Sequence, residues 1–162
     1  MNQHLEFLEQ ERQRLVQEEE EREVLIDSAE LYRALVKCCP DAVVISDLNG
    51  RIIDASDKAL EMSGSSSYGD LIGKMSFDFI AEIDRQRAIS NVKITLEKGE
   101  LINEVYCLLK QDGTEYMGIL STSLVRDESG EPKAFIAVLR SCEHLPCGEN
   151  CKMIKENGNA RR

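Results

Sequence analysis

The sequence predicts an α+β fold: a five-stranded antiparallel sheet with helices on one face, preceded by a long N-terminal helix. Three observations carry it. Met1–Lys37 holds neither Gly nor Pro and is rich in Glu, Gln, Arg and Leu, all good helix formers. Asp47-Leu48-Asn49-Gly50 separates two short apolar, β-branched runs, the pattern of a tight hairpin. Finally, one long helical segment is followed by three strand-length apolar segments with turn sequences between them. Strands arranged in this way close a sheet with helices packed against it.

The chain divides into residues 1–37 (helix), 38–141 (folded domain) and 142–162 (a cysteine-containing tail). In the first part, Leu5, Leu8 and Leu15 begin a heptad seam that Ile26, Ala29 and Val36 continue, interrupted by Arg12, Glu19 and Arg22. This fits either a weak parallel coiled coil, and hence a homodimer, or a solvated helix joined to the domain. Pro40 ends the helix just after Cys38 and Cys39. Ala42–Ser46 and Arg51–Ala55 are the hairpin strands. The Asp47 carboxylate suits the turn, and Gly50 can take positive φ there.

Asp57–Met62 reads as a short helix capped by Ser56 or Asp57. Ser63–Ser67 is a Gly/Ser link, Tyr68–Ile72 another short helix closed by Gly73, and Met75–Ile80 a compact apolar patch. Glu82–Lys98 is the main helix, with Ile89, Val92 and Leu96 on one stripe beside Ala88 and with Gly99 as its stop. Leu101–Lys110, Glu115–Val125 and Lys133–Arg140 are the last strands. In the second of these, Tyr116, Leu120 and Leu124 share one face and Met117, Ile119 and Val125 the other. Both faces of the sheet therefore need cover.

Composition narrows the function. The formal net charge is −10, which argues against nucleic acid or an anionic membrane surface as main partner. No apolar run reaches the ~18–20 residues that span a bilayer. The six Cys and the polar, acidic N-terminus point to a reducing cytoplasm. No phosphate-binding Gly-rich loop is present, and His4 and His144, the two histidines, lie at the extremities. Enzyme chemistry of the Ser/His/Asp kind is therefore not expected.

Four dispersed segments now combine. Asp47-Leu48-Asn49-Gly50-Arg51-Ile52, Asp70-Leu71-Ile72-Gly73-Lys74, Lys110-Gln111-Asp112-Gly113-Thr114 and Arg126-Asp127-Glu128-Ser129-Gly130-Glu131-Pro132 stand where the Per-ARNT-Sim (PAS) sensor family carries its first hairpin, helix end and two later turns. From about Leu31 to Arg140 the chain resembles that family. Two departures are an Asp at position 57, where the family commonly has Asn, and Ser141-Cys142-Glu143 in place of its Asp-Ile-Thr exit.

The resemblance implies a ligand- or cofactor-responsive sensor module; together with the thiols of the tail, the expected signal is a small ligand, a metal or a redox change, relayed through a flanking helix. It implies a homodimer, with a histidine kinase or another signalling protein of a two-component system as partner. It also implies a pocket between sheet and short helices, which maps onto Leu60, Ile72, Phe77, Phe79, Ile89, Val92 and Leu120. Side chains that merely fill a small core would look the same in sequence. A scaffold or adaptor that senses nothing is the alternative function. The ligand itself stays open, although two cofactors can be argued against. No Cys lies between Pro40 and Tyr106, which disfavours a covalent flavin adduct. Both histidines lie outside the domain, which disfavours His-ligated haem in the pocket. Cys107 reads as a buried small hydrophobe.

The tail carries Cys142, His144, Cys147 and Cys151 within ten residues. Three thiols and one imidazole match a tetrahedral zinc site. With Cys38 or Cys39 as a fourth ligand, the thiols could instead hold an iron–sulfur cluster. Exposed, unliganded thiols are the other reading of the same residues.

Overall fold

The structure, a computed structural model, describes residues 2–142. It separates into two compact units, the helix through Cys38 and the part from Cys39 onward. The first unit is α1, Asn2–Cys38, an unbroken helix of 37 residues, about 55 Å long at 1.5 Å per residue. Phe7, Leu8, Leu15, Leu31 and Leu35 on it are exposed. No helix among the described residues is long and apolar enough to cross a membrane.

The second unit is built on β1 (Ala42–Ser46), β2 (Ile52–Ala55), β3 (Glu100–Leu109), β4 (Glu115–Arg126) and β5 (Pro132–Ser141). They form one antiparallel sheet in the order β2-β1-β5-β4-β3. Its helices are α2 (Asp57–Ser63), α3 (Glu82–Lys98) and two short 3₁₀ helices, Tyr68–Asp70 and Ser76–Phe79. Strand β2 begins one residue later than the sequence indicates, because Arg51 pairs instead with Met75. This region covers the sheet edge: Ile52 N donates to Lys74 O, Gly73 N to Ile52 O and Ser76 N to Gly50 O. An edge strand left bare would expose a row of unpaired backbone groups.

The turns follow from local side-chain chemistry. Asp47 Oδ1 accepts the N–H groups of Asn49 and Arg51 at 2.9 and 2.8 Å. Asp127 does the same for Ser129 and Glu131 at 2.9 and 3.0 Å. Ser56 does two jobs. Its Oγ caps α2 through Ala59 N at 3.2 Å and accepts from Val43 N at 3.0 Å, which ties α2 to β1.

The core lies between the inner sheet face (Ala42, Ile52, Tyr106, Leu108, Tyr116) and the helical layer (Ala59, Met62, Leu71, Ile80, Ala88). The alternate residues of β3 and β4 make a smaller cluster of Cys107 and Met117 with Ala81, against which Cys142 packs. One expectation is corrected here. Ile89 and Leu96 on α3 are exposed at 40 % and 36 %, while Asp84, Ala88 and Thr95 are buried. The helix is rotated so that a partly polar stripe faces the sheet, because β3 offers it polar partners.

Gly118 of β4 pairs with Tyr106. A Cβ there would overlap Leu108 Cδ1 and come within 2.9 Å of Leu139 Cδ1. Gly118→Val is therefore expected to cost about 1–3 kcal/mol through overpacking, read as a lower midpoint in urea unfolding followed by far-ultraviolet circular dichroism. An unchanged midpoint would mean that this part of the inner face is not tightly packed.

Candidate functional site: an interior cavity beside a buried polar seam

A cavity of about 350 Å³ opens between the inner sheet face and the helical layer. That lies at the lower end of the roughly 300–1,000 Å³ typical of small-molecule sites. Its floor is the inner face of the sheet, including Val44, Leu120, Phe135 and Leu139, and its cover includes Met62, Leu71, Phe77, Phe79, Ile89 and Val92. Phe77 is seated against the first turn: a Cβ on Gly50, which has φ +85°, would lie 2.7 Å from Phe77 Cε2. The hairpin turn and the cavity cover thus fit together only with glycine at this position.

Five of the seven sequence-indicated pocket residues line the cavity: Phe77, Phe79, Ile89, Val92 and Leu120. Leu60 packs against the core without lining it. Ile72 is 39 % exposed, and its neighbour Leu71, 2 % exposed, takes the inward position. The physical reason is the tighter winding of the segment from Tyr68, which changes the face each residue presents. No Cys or His is among the described residues lining the cavity.

One end of the cavity is polar. Asp84, 3 % exposed, accepts Cys107 N–H at 2.7 Å on Oδ2 and Arg87 Nη2 at 3.1 Å on Oδ1. Arg87 Nη1 donates to Glu104 Oε2 at 3.0 Å, Arg87 also donates to Val105 O, and its guanidinium lies 4.2 Å from the Tyr106 ring centroid. Asn91 Nδ2 donates to the Tyr106 hydroxyl at 2.7 Å and approaches Glu104 Oε2 at 3.4 Å. Burial pushes the Tyr106 phenol above its ordinary value, against the opposing pull of the Asn91 hydrogen bond and of Arg87. Asp84, Asn91, Glu104 and Tyr106 were not indicated by sequence pattern. The spacing 84, 88, 91, 95 is a helical stripe, but three of its four members, Asp84, Asn91 and Thr95, are polar and read as solvated.

Cys107 and Cys142 do not line the cavity. Cys107 is buried, and its Sγ lies 3.6 Å from Glu115 Oε2. Cys142 N donates to Met117 O at 2.7 Å, which continues the β5 pairing. His144, Cys147 and Cys151 lie outside the described residues. Cys38 is exposed and Cys39 partly so.

A family model described as "PAS fold" matches residues 30–141, and no curated protein matches the sequence. Several solved structures share the fold. The PAS domain of a protein from Colwellia psychrerythraea superposes with TM-score 0.64 at 20 % identity, covering 75 % of this chain and 99 % of that one. The Drosophila melanogaster Cycle PAS-B domain with bound ethylene glycol gives 0.56 at 12 % identity, over 62 % and 98 %. The light-state dimer of the fungal blue-light photoreceptor Vivid gives 0.52 at 21 % identity, over 62 % and 76 %.

The Tyr106 shift makes a prediction. A phenol held neutral in the folded protein stabilises it fully below its ordinary value of 10.0, and that contribution is lost as pH rises through the higher folded value. Urea midpoints should therefore fall above about pH 10, and Tyr106→Phe should flatten the fall. An identical alkaline slope in that variant would show that Tyr106 does not carry it.

Proposed function

The chain belongs to the PAS family, and on that premise we propose that it is a signal-transduction sensor module whose cavity takes up a small molecule. The observation that carries this reading is the cavity itself, about 350 Å³ beneath Phe77, Phe79 and Val92. Native interiors are close-packed and keep few voids larger than a water molecule, so an apolar space of this size supports a binding role. Native mass spectrometry of the full chain, purified gently from cells, tests it. A noncovalent adduct of one small molecule per domain is expected, and Val92→Phe, which fills the space, should remove it. A bare mass in the unmodified protein and no uptake of any added small molecule would contradict the reading.

The relay we propose is α1. Its exposed Leu8 and Leu15 stand at heptad spacing, and exposed apolar side chains repeated along one helix suit a parallel homodimer. The Vivid neighbour is described as a light-state dimer, a precedent for signal-dependent association on this fold. A histidine kinase or another signalling protein would then receive the change in helix packing. The same exposed side chains favour an adaptor reading if the cavity proves empty. Replacing both Leu8 and Leu15 by Asp should lower the sedimenting mass to that of a monomer in analytical ultracentrifugation. An unchanged profile would show that α1 is not the dimer seam.

A further inference from the structure

Resting on the sensor reading above, we infer that the occupant of the cavity is neutral and mostly apolar, and carries one hydroxyl or carbonyl-type group that meets Tyr106 and Asn91. Size comes from the space. With about 350 Å³ available and a water occupying roughly 30 Å³ of liquid, the occupant has on the order of ten to fifteen non-hydrogen atoms.

The polar group is specified by what the wall offers. Tyr106 is 1 % exposed and lines the cavity together with Asn91. In their mutual bond the amide nitrogen donates to the phenol oxygen, so the phenolic proton is not engaged there. Asn91 gives its nitrogen to Tyr106 and Glu104, and its Oδ1 accepts no hydrogen bond among the described residues. One donor and one acceptor thus sit side by side at the end of a mostly apolar space, whose lining also holds Ser46, Ser63, Thr95 and Thr122. A hydroxyl can answer both and a carbonyl oxygen can answer the donor, whereas a pure hydrocarbon would answer neither.

Charge is specified by what surrounds that pair. Glu104 also lines the cavity, 3.4 Å from the Asn91 amide nitrogen. Arg87, the neighbouring cation, is engaged by Asp84, Glu104 and Val105 O and stacked on the Tyr106 ring. An anionic head group would face the Glu104 carboxylate with the nearby guanidinium already committed. Lys93 reaches the lining only from an exposed position on α3. A cationic head group would have to displace Arg87 from Glu104 and lose its own hydration.

Four probes of one shape test this on the full chain by calorimetry near neutral pH: naphthalene, 2-naphthol, 2-naphthoate and 2-naphthylmethylamine. 2-Naphthol should bind about tenfold tighter than naphthalene, the size of one net hydrogen bond, and at least about tenfold tighter than either charged probe. Tyr106→Phe and, separately, Asn91→Ala should remove the advantage of 2-naphthol over naphthalene. Equal binding of naphthalene and 2-naphthol, or tightest binding by a charged probe, would overturn the assigned class while the cavity reading stands. Binding of none of the four would overturn both. The comparison among probes on the unmodified protein requires no variant to fold.

Discussion

The carboxylate of Asp84 is the contact on which the interior of the domain depends. At 3 % exposure it could not remain charged without partners, since an unpaired buried charge costs several kcal/mol. Two groups meet it on different oxygens: the Cys107 N–H and the Arg87 guanidinium. The first pins the start of α3 to the C-terminal half of β3. The second orients Arg87 so that it also reaches Glu104 and lies over Tyr106. A helix usually sits on a sheet through an apolar stripe. Here the stripe is largely polar, and the helix is held at fixed positions instead of collapsing onto the strands. That difference leaves room for a cavity between Val92 and Leu120.

The same seam gives the proposed sensor a route out of its cavity. Asn91 and Tyr106 belong both to the cavity wall and to the chain of contacts that ends at Asp84. Asp84 holds the backbone of Cys107, whose side chain lies in the separate cluster with Met117, against which Cys142 packs. On the proposed reading, an occupant that alters the Asn91–Tyr106 pair shifts a helix whose anchor is on β3. The effect then reaches the cluster that holds the last described residue before the cysteine tail. A ligand moves such an equilibrium only by its differential affinity for the two arrangements, and the polar pair is where that difference can arise.

Most of the fold was legible because its signals are local. Asp47 and Asp127 followed by glycine three residues on announce their turns through their own carboxylates. Ser56, one of the two residues the sequence offered as the cap, starts α2, and Gly99 ends α3 where the sequence placed it. The site was legible only in part. Phe77, Phe79, Ile89, Val92 and Leu120 could be named because they are apolar and lie in segments that must face the sheet. Ile72 was misassigned because the segment before it winds as a 3₁₀ helix, where a period near 3.6 does not apply. The polar seam was invisible for a different reason. Asp84, Arg87 and Asn91 read individually as a solvated helix surface, and only the pairing of α3 with β3, a long-range fact, turns them inward.

Hydrogen exchange followed amide by amide across the full chain, with and without 2-naphthol, tests most directly whether occupancy of the cavity is felt through this seam. The account predicts slower exchange along α3 and in the C-terminal half of β3, the Cys107 amide included, and loss of that protection when Tyr106 is replaced by Phe. Bound 2-naphthol with no change in exchange at Cys107 or along α3 would contradict it.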